Sequence, residues 1–454
     1  MTDGQLDRRS LWRKAVPVIA AVAVRLLLMA AALWRGGVDA LIQTDTGSYL
    51  RPGTNLLLHG QFASGGLPEI SRTPGYPLFL AVFSCAGPLA VALAQILLAA
   101  GSVYLVGRIA RALFSGERVA LAAMWIYAFE PLAAGYSVVL LSETLYVFLL
   151  LLGIERLIAF LSTNRLRLLA VSGLSLAAAA FVRPIGYYLP FALAIGLAVA
   201  LRRSPSLRWK APAVLLLCSL PWLVAWQVRN LLETGFSGFS SIQAQNLYYY
   251  NAGEITAQLQ HRPLTQVQSD LGYDTAAVLL TRHPDAASWT RAQRLAFMRS
   301  DALSVIAANP YLFLRTHVYG MLRTAFNPGA AVLLDLFGTP VDSRTLNGEL
   351  DVGPFRAAWQ VVHNFPVQAA VMAVLALILF ALYALALRGL LHRRLPAVFL
   401  GLLLGVAFYF LLLSGGAAGA ARLRVPYMPI VCILAAAGLV RSVPDPHPAP
   451  HPVA

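Results

Sequence analysis

A chain of 454 residues that is 58% hydrophobic and only 12% charged, with a mean hydropathy of +0.67, is too apolar for a soluble globular protein. A formal net charge of +15 would point a soluble domain toward nucleic acid, but the arginines here fall mostly in short connections between apolar runs, so they report topology and exclude a nucleic-acid partner. The cysteines, Cys85, Cys218 and Cys432, are odd in number and scattered through apolar stretches, which indicates neither a disulfide framework nor a zinc cluster.

Taken in chain order, apolar runs of about 17–25 residues predict spans near 15–34, 89–107, 119–135, 139–158, 168–182, 185–201, 211–229, 366–387, 395–413 and 425–441. This is an all-α polytopic membrane protein of about ten transmembrane helices. The first run is long enough to span and lacks a terminal cleavage pattern, so the N-terminus is expected to be retained. Basic residues occupy every second connection: Arg8, Arg9, Arg13 and Lys14; Arg108, Arg111 and Arg118; Arg156, Arg165 and Arg167; Arg202, Arg203, Arg208 and Lys210; Arg388, Arg393 and Arg394; and Arg441. Both termini are therefore expected to be cytoplasmic. On the other side, the short loops carry Arg183, Arg422 and Arg424, which run against the positive-inside trend and need another reason.

Two outer loops are large. The first, 35–88, holds Asp45, Glu69 and Arg72, within an N-terminal module taken as 1–229. Its segment Tyr76–Cys85 is too short and too interrupted by Pro and Gly for a span, and is expected to lie in or dip into the outer interface. The second, 230–365, mixes polar residues with short apolar stretches and predicts a small extracytoplasmic helical region. There Arg315, Tyr319 and Arg323 recur at i, i+4, i+8, the pattern of an interfacial helix over Tyr311–Phe326. C-terminal spans fill 366–441, and a Pro- and His-rich tail, 442–454, is expected to be disordered. Only two lysines, Lys14 and Lys210, against abundant Ala, Leu and Arg suggest a GC-rich bacterial genome and hence a bacterial plasma membrane.

With this topology, Asp45, Glu69, Arg72, Glu130, Glu143, Arg183, Arg422 and Arg424 all fall on the outer side. Charge at membrane depth is costly unless paired or facing water, so several on one side imply a polar cavity there. Arginine binds phosphate oxygens with a planar, permanently charged fork, which suits a lipid-borne phosphate. No P-loop, dinucleotide-binding turn, HExxH or Gly-x-Ser-x-Gly motif is present, which argues against direct nucleotide use and hydrolase chemistry.

The ordered segments DTGSYL, SRTPGYPLFL, LSETLYVFLLLLG, FVRPIGYYLP, NLYYYNAGE and ARLRVPYMP resemble the GT-C glycosyltransferases that use lipid-phosphate sugar donors. Within these the resemblance is to glycosyltransferase family 39, with its protein mannosyltransferases and aminoarabinose transferases. It covers most of the chain through short motifs. It implies a GT-C-like bundle with outer interfacial helices. It also implies transfer of a sugar, with inversion, from a polyprenyl-phosphate donor to an acceptor hydroxyl on the extracytoplasmic face, the acceptor being a lipid, glycan or protein.

Under this resemblance Asp45 is the candidate general base; alternatively it caps a helix beginning near Thr46. Glu143 is a second candidate catalytic acid, or a first-turn residue paired with Ser142. Arg72, ahead of Thr-Pro, is assigned to the donor phosphate, with interfacial snorkelling as the alternative. Arg183, Arg422 and Arg424 either hold phosphate or pair with neighbouring acids. Tyr49, Tyr76, Asn246 and Tyr248 are substrate-binding candidates, although the run NLYYYN also fits an aromatic belt. Some relatives place a divalent cation by an acid near the basic-Pro motif, which here leaves Glu69 as a candidate ligand, with Ser71 beside Arg72. A lipid-linked sugar transporter and a membrane scaffold are the competing readings. The transporter would show mid-span charges or broken-helix repeats, and neither is evident.

Overall fold

The computed structural model describes residues 3–114, 116–339 and 362–440. Arg441 and the tail 442–454 lie outside the described residues, as do the side chains of Arg8 and Arg9.

The first half is a succession of helices: α1 (Asp3–Gly36), α2 (Thr46–His59), α3 (Gly75–Ser84), α4 (Pro88–Phe114), α5 (Glu117–Ala128), α6 (Pro131–Tyr136), α7 (Glu143–Thr163), α8 (Leu166–Val182), α9 (Leu189–Ala200) and α10 (Leu207–Thr234). A two-residue antiparallel ladder, Ala63–Ser64 with Leu67–Pro68, closes the loop between α2 and α3. Helices Arg291–Ala308, Pro310–Phe326, Pro366–His392, Ala397–Leu413 and Met428–Leu439 dominate the second half.

Among the described residues, five helices are long and apolar enough to cross a membrane: Trp12–Leu41, Pro88–Phe114, Glu143–Thr163, Leu207–Thr234 and Pro366–His392. Four more expected spans coincide with shorter apolar helices, Leu166–Val182, Pro184–Ala200, Ala397–Leu413 and Met428–Leu439. The expected span 119–135 is corrected. Pro131 cannot continue a helix from the preceding turn, and Glu130 instead caps α6 by accepting from the N–H groups of Leu132 and Ala133. The span expected from 139 starts at Glu143. The expected interfacial segments both form helices, α3 and Pro310–Phe326.

Helix Met428–Leu439 is apolar on every side and is buried along nearly its whole length, as a helix at the centre of a bundle must be. Gly389 and Gly438 face each other where Pro366–His392 crosses it, and a Cβ on either would collide with backbone of the partner helix. Small residues thus set that crossing distance. A second, smaller core gathers Ile70, Tyr248, Ala252, Leu295, Met298 and Ala302.

Candidate active site

Asp45 occupies the N-cap position of α2, yet its side chain makes no capping hydrogen bond. Its carboxylate is turned sideways instead: Oδ1 accepts from Arg72 Nη2 at 2.8 Å, and Oδ2 from Arg422 Nη1 at 2.7 Å. Asp45, Ser48 and Tyr49 share the first turn of α2 at i, i+3, i+4, and together they take the whole guanidinium of Arg72. Nε donates to Ser48 Oγ at 3.1 Å and Nη1 to the Tyr49 hydroxyl at 3.0 Å, with the ring of Tyr49 4.3 Å below the guanidinium carbon.

Arg72 is delivered by a loop tied down on all sides. Glu69 Oε1 accepts from the backbone N–H of Ser71 and Arg72, at 2.5 and 3.1 Å. Arg229 of α10 donates to the carbonyls of Glu69 and Phe62 at 2.7 and 2.8 Å. Ser240 and Ser241 bind the Ser71 carbonyl and hydroxyl at 2.6 and 2.7 Å. After Arg72 the chain turns into α3 at Gly75, where a Cβ would stand 2.7 Å from the Phe181 carbonyl oxygen of α8; glycine is required for that approach.

Glu143 opens α7, and its side chain is 1% exposed. Its Oε1 accepts from both Arg183 Nη1 and Arg422 Nε, while Oε2 has no protein partner among the described residues. Arg183 Nη1 also lies 3.5 Å from Ser142 Oγ, which is 3.5 Å from the Tyr49 hydroxyl. Five segments of the chain therefore bring two carboxylates and three guanidiniums into one network. Arg422 joins its halves, with one nitrogen on each acid.

The network is a buried floor with a wetter edge, since the Asp45 side chain is 36% exposed and that of Arg422 24%. Burial pushes the Asp45 carboxyl up, but the hydrogen bond from Arg422 and the charges of Arg72 and Arg422 outweigh it, leaving it below the usual aspartate range. Burial likewise opposes the charge on Arg422, but the two acids more than compensate and hold it protonated.

Other candidates are placed elsewhere. Arg424 is corrected: it is buried, and Nη1 donates to the carbonyls of Thr324, Ala325 and Asn327 at 2.7–3.1 Å. It closes the C-terminal end of helix Pro310–Phe326 rather than facing the network. Tyr76 is also corrected. It is fully buried, with its hydroxyl on Gln95 Oε1 at 2.9 Å, and it supports Tyr49 edge-to-face at 5.0 Å from beneath the site. Tyr248 is buried in the second core against Phe297, and Asn246 is half-buried at the start of the same π-helix, Asn246–Ala252. One oxygen of Glu69 serves two backbone N–H groups. Among the described residues no group of three or more His, Cys, Asp or Glu is placed to hold a metal ion.

Sequence reading missed Ser48, Arg229 and a tyrosine pair, and took Ser142 only as a partner of Glu143. The hydroxyls of Tyr250 and Tyr273 are 3.0 Å apart. Burial, the Tyr273 hydroxyl and the charge of Asp45 all raise the Tyr250 phenol. Ser48 and Ser142 carry a positional signal, three residues after one acid and one before the other. Tyr250 carries none, because the π-helical turn rotates NLYYYN away from the face that α-helical spacing assigns.

An apolar cavity of about 710 Å³ runs between α7, α9 and helix Ala397–Leu413 and reaches Arg202, Arg203 and Ser204 after α9; none of the five charged residues of the network lines it. It is lined by residues such as Leu157, Leu193, Leu197, Phe399 and Val406. Its wall includes Tyr409, whose hydroxyl donates to the Ile185 carbonyl at 2.5 Å, two residues from Arg183.

The model of the dolichyl-phosphate-mannose-protein mannosyltransferase family matches residues 73–226, from the start of the α3 turn to α10. The oligosaccharyltransferase of Archaeoglobus fulgidus, in its apo form, superposes with a TM-score of 0.51 at 13% identity, over 95% of this chain and 50% of that one. The chain has the GT-C fold. A second structure of that GT-C enzyme, tethered to an acceptor peptide with an NVT sequon, gives 0.51 at 12% identity over 95% and 49% of the two chains. ArnT from Cupriavidus metallidurans in the apo state gives 0.39 at 14% identity over 93% and 76%. The chain thus spans about half the length of the archaeal oligosaccharyltransferase it matches. No curated protein matches it.

Proposed function

We propose that this GT-C protein is a glycosyltransferase. It would transfer a sugar from a polyprenyl-phosphate donor to an acceptor hydroxyl, with inversion, on the extracytoplasmic face of a bacterial plasma membrane. The observation that carries the reading is the single bridge made by Arg422 between Asp45 and Glu143, with Arg72 and Arg183 on either side. A family model described by a lipid-phosphate sugar donor supports it.

In this reading the donor phosphate binds to Arg72, Arg422 and Arg183. The acceptor oxygen attacks the anomeric carbon as its proton passes to an Asp45 oxygen. The bond from that carbon to the phosphate oxygen breaks, and polyprenyl phosphate leaves with the electron pair. No strong general acid is needed, because a phosphate monoester is already a competent leaving group. The resting ion pairs hold Asp45 below its usual pKa and so blunt it as a base. A phosphate that draws Arg72 and Arg422 away removes the cause of that depression, and Asp45 then gains basicity with donor in place.

The test is incubation of the purified protein with a radiolabelled polyprenyl-phosphate sugar and separate lipid, glycan and peptide acceptor fractions. A new covalent labelled product is expected in one fraction. Label moved across a vesicle bilayer without any product would establish a transporter instead.

A further inference from the structure

A second basic site lies at the other end of the bundle, at the N-terminal end of α1 and the C-terminal end of α4. A cavity of about 370 Å³ opens there, and its basic lining residues are Lys14, Arg108 and Arg111. Its apolar wall includes Leu121 and Met124 of α5, with Tyr104 of α4 alongside. Arg108 pairs with the buried carboxylate of Glu155 at 2.8 Å, and Arg156 holds the same carboxylate at 3.0 Å. Lys14 approaches Glu117 at only 4.0 Å. Arg111 has no ion-pair or hydrogen-bond partner among the described residues. Four cations thus face two carboxylates, and the excess positive charge sits on a cavity whose other wall is hydrocarbon.

We propose that this cavity binds the phosphodiester headgroup of an anionic phospholipid, with an acyl chain against Leu121 and Met124. Three observations favour a lipid over a free phosphate. The cavity is amphipathic rather than wholly polar. Trp12, 67% exposed and two residues from Lys14, marks the depth of the headgroup layer. Tyr104, 47% exposed on α4, gives a second aromatic at the same rim. Basic pockets between transmembrane helices take such headgroups by the same combination of charge and burial. The bound lipid would join α1, α4 and α5 through one headgroup and stabilise the folded bundle by mass action.

The experiment uses the full chain in neutral detergent, with phosphatidylglycerol, phosphatidylcholine or glycerol 3-phosphate added. The readouts are lipid retained in native mass spectra and the melting temperature. Phosphatidylglycerol is expected to be retained and to raise the melting temperature, while phosphatidylcholine and glycerol 3-phosphate do neither. Arg111→Gln removes an exposed, unpartnered charge, so it should leave folding intact and weaken phosphatidylglycerol about fivefold. Ala112→Trp fills the mouth of the cavity with every charge kept, and should abolish retention. Arg118→Gln, an exposed arginine outside the cavity, should change nothing. Equal retention of the two lipids, wild-type binding by Arg111→Gln or Ala112→Trp, or an equal loss in Arg118→Gln would overturn the site. Displacement of lipid by glycerol 3-phosphate would replace the lipid with a soluble phosphate ligand and overturn the proposal as stated.

Discussion

Arg422 and Arg424 stand two residues apart in one short turn, and the structure gives them opposite tasks. Arg422 reaches two carboxylates from distant helices in a partly open network. Arg424 belongs with Arg25 and Glu130 in a second group of buried charges that serves helix ends. Arg25 donates to the Ala21 and Ala128 carbonyls at 3.1 and 2.9 Å, Glu130 caps α6, and Arg424 closes helix Pro310–Phe326. In the bundle interior no water relieves an unsatisfied helix terminus, so a buried charge on such an end is architecture. Charges that satisfy one another and still face an opening are the better candidates for chemistry.

The largest expected effect tests whether the two groups separate. Glu143→Gln leaves two arginines without their buried partner and should cost about 3–5 kcal/mol of stability together with the transfer activity. Arg424→Gln should cost about 3 kcal/mol by stranding carbonyls, with turnover per folded molecule unchanged. Thermal melts run beside activity assays on the same preparations check both, and a selective loss of turnover in Arg424→Gln would break the comparison. Next in size, Arg422→Gln should lower transfer about 100-fold, because it removes the bridge and a phosphate clamp together. Arg72→Ala should raise the donor KM about tenfold with a smaller change in acceptor KM; an unchanged donor KM would take Arg72 out of the phosphate site. Tyr250→Phe should be the mildest, shifting acceptor KM about threefold by the loss of one hydroxyl hydrogen bond.

The pH response follows from the depressed Asp45 value. A carboxylate whose folded pKa lies below its unfolded value of about 3.9 adds stability that is complete above that value and is lost as pH falls through the folded one. Stability should therefore show no Asp45 step between about pH 6 and 8, and a melting-temperature step in that window would contradict the ion pairing.

Much of this was legible in the sequence because lipid imposes length and polarity rules on each helix separately. Nine of the ten expected spans coincide with helices, and the exception broke at Pro131, where a buried Glu130 made a new helix start. Membrane side brought Asp45, Arg72, Glu143, Arg183 and Arg422 into one set of eight candidates but did not separate them from Glu69, Glu130 and Arg424. What failed was everything set by side-chain direction. Arg424 and Arg422 differ by two positions in a tight turn, so their side chains diverge. Tyr76 turns its hydroxyl into the core onto Gln95, and the π-helical turn buries Tyr248 while Tyr250 reaches Tyr273. Arg229 escaped notice because its bonds reach main-chain carbonyls 160 residues or more away, which no local motif records.

The central claim, that Asp45 takes the acceptor proton, is tested most directly by Asp45→Asn with transfer and donor binding measured on the same purified protein. The account predicts transfer lowered about 10²–10⁴-fold with labelled donor still bound, because Arg72, Arg183 and Arg422 remain. Near-normal turnover by Asp45→Asn would contradict it.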